Sequence, residues 1–289
     1  MPILFLITYP EYIKRRNSPL IIANFLNTRD IVSTMSRKTN TKNEEMKPNP
    51  SKKNKEKKKV KEEENKEVKI NDNEKNKAIL AVCAHSDDQI IGAGGSLAKF
   101  ADEGYDVKIV ILSKGELSHP LQKENYTVKT RIKESEEAGR VIKAKEVIFF
   151  NLNEGSFLEE YRKKGAFQKL REIINKDQPA KIFTHSYDDI HKDHRNTFTI
   201  TMEAIESIDG YNPEVLTFDI WNLIESKKTK HPAYYIDVTK YVGTKIKALQ
   251  CFKSQKVSMI SLFFRIYVGL FLNGIRIGKP FAEKFYKVK

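Results

Sequence analysis

Ala78 to Ala84 reads AILAVCA, seven residues without a charged side chain and without any alternation of polar and apolar positions. A strand with one wet face alternates with period two, so an unbroken apolar run this short belongs to a strand covered on both faces. Comparable runs follow: VKIVILS at Val107–Ser113, VIFFNL at Val147–Leu152, KIFTH at Lys181–His185 and VLTFDIW at Val215–Trp221. Helical stretches separate them: Gln89–Glu103 stopped by Gly104, Arg131–Lys143, Phe167–Lys176 ending before Pro179, and Thr197–Ile208. Short buried strands alternating with helices predict an α/β domain with an open, mostly parallel sheet flanked by helices. Tyr234–Val238, a helix through Gln250 and the last helices complete it.

The chain before residue 77 has a different character. Residues 37–76 are dominated by Lys, Glu, Asn and Asp, and Arg37 to Lys77 carries about +6 of the formal +14. Such a segment buries too little apolar surface to offset chain entropy, so a disordered linker is expected there. Residues 1–36 read as an appendage with apolar patches, and 77–289 as the folded domain. The run Ile3–Thr8 is too short for a span, and its charges follow the apolar stretch, the reverse of a signal peptide. Val257–Ile277 is more apolar, but Arg265 interrupts it and Arg276 lies near its end. It reads as a buried or amphipathic helix, with membrane-surface contact as the lesser reading. Two isolated cysteines, Cys83 and Cys251, suggest no disulfide framework and a cytoplasmic location.

Two segments at strand ends carry chemistry, where open parallel sheets place their sites. In Ala84-His85-Ser86-Asp87-Asp88-Gln89, positions 85 and 88 can converge across a turn into a helix, and an imidazole and a carboxylate suit zinc. Asp87, between them, could face a water. The second segment runs His185-Ser186-Tyr187-Asp188-Asp189-Ile190-His191-Lys192-Asp193-His194 and holds three of the chain's six histidines. His194 could add a third ligand, and two His with one carboxylate leave an open position, the pattern of catalytic zinc. A helix-start Asp-Asp pair is often only an N-cap; the two segments at the ends of two strands of one sheet favour a site. Gly92-Ala93-Gly94-Gly95 lies inside a predicted helix and lacks the spacing of a dinucleotide fingerprint, so close packing is expected there. Cys83 reads as a core residue, while His119 and Trp221 could line a pocket.

At these residues the sequence resembles the LmbE-like, or PIG-L (GlcNAc-phosphatidylinositol de-N-acetylase), family. AHSDDQ stands where that family has Ala-His-Pro-Asp-Asp-Glu, and HSYDDIHKDHR, SKGE, RIKE, KIKALQCFKSQ and FAEKF extend the likeness over about residues 77–289. The resemblance implies a Rossmann-like fold, one Zn2+ ion and hydrolysis of an N-acetyl amide on a glucosamine unit of a small-molecule conjugate. It implies His85, Asp88 and His194 as metal ligands, Asp87 as general base, His191 as the histidine that stabilises an oxyanion, and Arg131 at the substrate pocket. Asp193 is expected to keep the His191 imidazole oriented and charged. Ser86 in place of Pro is expected to loosen the turn at His85, and Gln89 in place of Glu to remove a charge beside the site. A zinc hydrolase of another amide or ester is the alternative. A non-catalytic binder of nucleic acid or an anionic surface ranks below both, because the basic stretch mixes Lys with Glu and lacks Arg-rich patterning.

Overall fold

The structure, a computed structural model, describes residues 77–116, 124–220 and 231–289, with the side chains of 124 and 256–261 excepted. The expectations for residues 1–76, for His119 and for Trp221 lie outside the described residues.

Seven strands, β1 (Ala78–Cys83), β2 (Asp106–Ser113), β3 (Glu146–Leu152), β4 (Lys181–His185), β5 (Glu214–Phe218), β6 (Ala233–Asp237) and β7 (Ala282–Lys287), form one sheet in the order β3-β2-β1-β4-β5-β7-β6. The first five are parallel neighbours; β7 pairs antiparallel with both β5 and β6. Among the described residues, seven α-helices flank it: α1 (Asp88–Asp102), α2 (Glu124–Val141), α3 (Phe157–Lys163), α4 (Ala166–Asp177), α5 (Lys192–Glu206), α6 (Val242–Leu249) and α7 (Lys256–Arg276).

The unbroken apolar runs are explained by two separate cores. Ile79, Ala81 and Cys83 of β1 face a cluster with Ile90 and Leu97 of α1, whereas Leu80 and Val82 face a second cluster with Leu170 of α4 and Ile200 of α5. Each fully buried Ile or Leu contributes about 1.5–3 kcal/mol of transfer free energy, and β1 supplies both layers. Cys83 is a core residue as expected, its thiol pushed well up by burial and then by the Asp88 and Asp87 charges.

The glycine cluster packs closely. A Cβ on Gly92 would lie 2.3 Å from the Phe218 ring at the end of β5, and one on Gly95 would press on Val238 and Glu283. β1 hands the chain to β2 on one side and has β4 on the other, so a crevice opens at the carboxyl ends of β1 and β4. Three elements differ from the sequence reading. FAEKF, given no secondary structure there, lies mostly in strand β7. α3 has no counterpart in the sequence reading. α5 begins at Lys192, five residues before the expected Thr197.

Candidate metal centre

The turn after β1 is tied on itself. The His85 backbone N–H donates to Asp88 Oδ2 at 2.7 Å, which brings the carboxylate back over the strand end. The Gln89 amide donates to the Ser86 carbonyl at 2.8 Å and to Ser135 Oγ at 3.1 Å. These bonds oppose the loosening expected from Ser86. Gln89 is wholly buried and clamps the turn, so its exchange for Glu does not alter a pocket wall.

Asp88 Oδ2 is ringed by imidazoles: His85 Nδ1 at 3.2 Å, His185 Nε2 at 3.1 Å and His194 Nε2 at 3.6 Å. Burial opposes the Asp88 charge, but the His194, His185 and His85 charges outweigh it and hold the carboxyl well below its ordinary value. For His85, burial pushes down, yet Asp88 and hydrogen bonds to Asp193 and Asp88 hold the imidazole well above its usual value. His185 stacks on His194 with centroids 4.0 Å apart, and burial followed by the His194 charge lowers it to about 4. One ligating atom each from His85, Asp88 and His194 lies within 4.8 Å of the others. His194 Nε2 is buried and has no hydrogen-bond partner among the described residues. A buried nitrogen without a partner beside a carboxylate fits a divalent cation of the zinc type.

Asp87 occupies the N-cap position of α1, but its side chain makes no cap bond. Its Oδ2 instead lies 3.3 Å from Nη2 of the buried Arg131 on α2. The bland reading of Asp87-Asp88 as a capping pair therefore does not describe the geometry: one carboxylate turns to three imidazoles and the other to a guanidinium.

With this geometry in place, comparison with known proteins is informative. Residues 80–205 match the PIG-L family, GlcNAc-PI de-N-acetylase. That stretch is similar to the PIG-L family domain. Among curated relatives, 4-oxalmesaconate hydratase of Pseudomonas putida is 26% identical over 62% of this chain and 74% of its own length. Diacetylchitobiose deacetylase of Thermococcus kodakarensis is 23% identical over 62% and 70%. Among solved structures, the N,N'-diacetylchitobiose deacetylase of Pyrococcus horikoshii superposes with a TM-score of 0.63 at 22% identity, covering 74% of this chain and 84% of that one. The 4-carboxy-2-hydroxymuconate hydratase of Pseudomonas putida also gives 0.63, at 24% identity, with 73% and 96% covered. These structural likenesses establish the fold.

The second motif is arranged differently from the expectation in one respect. His191 is the N-cap of α5, and its Nδ1 accepts from the Asp193 backbone N–H at 3.3 Å. The Asp193 carboxylate turns away, to Gly155 N at 2.9 Å and to His85 Nε2 at 3.6 Å. Asp193 thus positions His85 with its side chain and His191 only with its main chain. Nδ1 is the acceptor in that cap bond, and partial burial followed by the His85 and His194 charges lowers the His191 pKa.

Two acidic groups had not been singled out. Asp189 Oδ2 lies 3.1 Å from His194 Nδ1, and its Oδ1 accepts from the His191 N–H at 2.8 Å. A carboxylate on one nitrogen of an imidazole aims the other at a cation. Glu154, beside the cluster, is raised above its ordinary value by burial, with His85 opposing and Glu116 adding to the rise. Nothing local separates Asp189 from Asp188; only the fold does.

Proposed function

We propose that this protein is a zinc-dependent deacetylase that hydrolyses the acetamide of an N-acetylglucosamine-type sugar conjugate. The observation that carries the reading is the grouping of His85, Asp88 and His194 around one point, with Asp87 one residue from Asp88 and outside that ligand set. Those three residues would hold the metal, and a bound zinc ion supplies a Lewis acid that polarises an amide carbonyl and acidifies water.

The protein's own residues do the rest. Asp87 accepts the proton of the attacking water and returns a proton to the departing amine. Arg131 fixes the Asp87 carboxylate through Nη2. His191 donates from Nε2 to the oxygen that gains charge. Asp189 and Asp193 keep His194 and His85 aimed. Acetate and a free amino sugar leave.

The test is acetate release from a panel of N-acetylglucosaminides, with metal content measured on the same samples. Asp87→Ala is expected to retain metal and lose about 100-fold to 10,000-fold in turnover. A variant with near wild-type rates removes Asp87 from the chemistry.

A second reading rests on Arg131, whose Nε and Nη1 are buried without a hydrogen-bond partner among the described residues. Such a guanidinium suits a substrate carboxylate, as the likeness to a hydratase of an unsaturated acid would require. Loss of conjugated-acid absorbance without acetate release from any sugar would favour it.

A further inference from the structure

Helix α7 carries large apolar side chains on its outer face as well as on the face it turns to the domain. Leu262 and Leu270 are buried toward the domain, and the helix packs on β7. Phe264, Tyr267, Phe271 and Ile275 follow one another at spacings of three and four and share the opposite face. Phe264 is 75% exposed, Ile275 58%, Phe271 48% and Tyr267 42%, with the Tyr267 and Phe271 rings partly covered on one side by Phe281. Exposed large apolar residues are scattered singly on an ordinary surface, whereas a continuous aromatic stripe marks an interaction face. Arg265 and Arg276 border the stripe along one edge. No helix among the described residues is long and apolar enough to cross a membrane.

We propose that α7 lies on an anionic lipid surface, with Phe264, Tyr267, Phe271 and Ile275 seated at the level of the headgroups. Charge selects this occupant. The chain carries a formal +14, and arginines edge the stripe. A second copy would bring like charge to like charge, whereas an anionic bilayer neutralises it. Aromatic side chains beside basic ones on a single helix are the composition of helices that lie in the membrane interface. The inference is independent of the reaction at the metal centre.

The test uses the full chain and sedimentation with phosphatidylcholine vesicles, with and without phosphatidylserine. Wild type is expected to bind the phosphatidylserine vesicles and to bind pure phosphatidylcholine much less. Phe264→Glu/Phe271→Glu changes two exposed side chains, so its thermal midpoint is expected to hold while lipid partitioning falls by about tenfold or more. Equal vesicle binding by wild type and variant overturns the proposal, since the basic stretch from Arg37 to Lys77 then accounts for it. So does a wild type that ignores vesicles, and so does a wild-type dimer that the variant turns into a monomer, which would make the face a self-interface.

Discussion

Breaking the buried Lys245–Glu283 pair should destabilise the whole domain. Lys245 Nζ lies 2.6 Å from Glu283 Oε1, and the two residues are 2% and 3% exposed. Glu283 also accepts from Gly95 N at 2.9 Å and Ser96 N at 2.7 Å, while Lys245 donates to the Ile91 carbonyl at 2.7 Å. In a regular helix the Gly95 N–H serves the Ile91 carbonyl; here each is met by one member of the ion pair. Glu283→Gln retains a single acceptor oxygen, turns an N–H2 toward a helix N–H and leaves the ammonium buried without a counter-charge. Removing one partner of such a pair costs about 3–5 kcal/mol, a large part of the about 5–15 kcal/mol that holds a typical domain together. Lys245→Met should sit at the lower end, since two backbone N–H groups still hold the carboxylate. The double variant should cost less than the two singles together, with a coupling of about 1–3 kcal/mol. Urea unfolding of the four proteins, followed by circular dichroism, gives all the values needed. Single variants within about 1 kcal/mol of wild type, together with additive effects, would refute the reasoning and mean that water reaches the pair.

Asp189→Asn should weaken metal binding by about 10-fold to 100-fold through loss of the carboxylate behind His194; competition with a chelator measures it, and unchanged affinity removes Asp189 from that role. Gly92→Ala should lower the thermal midpoint by the equivalent of about 1–3 kcal/mol, because the new methyl would stand 2.3 Å from the Phe218 ring; an unchanged midpoint would mean that Phe218 moves freely. The folded-state pKa of His185 is depressed to about 4. Its stabilisation is therefore complete above the ordinary imidazole value of about 6.5 and is lost as pH falls toward 4, by up to about 3 kcal/mol. The stability gap between metal-free wild type and His185→Asn should shrink over that window, and a gap independent of pH in urea titrations would contradict it.

Four of the five parallel strands were legible because each is largely buried on both faces and so carries no alternation to obscure it; edge strand β3 is only partly buried and was legible from its apolar run alone. The turn at His85 was legible for a local reason: the Asp88 carboxylate returns to an amide three residues back. What escaped reading depends on distant partners. α3 has seven residues, too few for helical periodicity to stand out. α5 starts early because an imidazole, an uncommon cap, accepts at its first turn. β7 shows no clean alternation over its six residues, and its second residue, Glu283, looks like a solvent-facing residue until α1 and Lys245 are in place. The main-chain donor on His191 Nδ1 is likewise a feature that composition cannot reveal.

The bond from Gly95 to Glu283 joins residues 188 positions apart. The helix that starts at the metal centre is therefore fastened by nearly the last segment of the domain. β6 reaches the sheet only through β7, so an unpaired final strand would leave both the sheet edge and that helix unsecured. Contacts this remote close late and slowly. During synthesis, competence to bind the metal should arise abruptly when residues 282–287 dock, not grow in step with chain length.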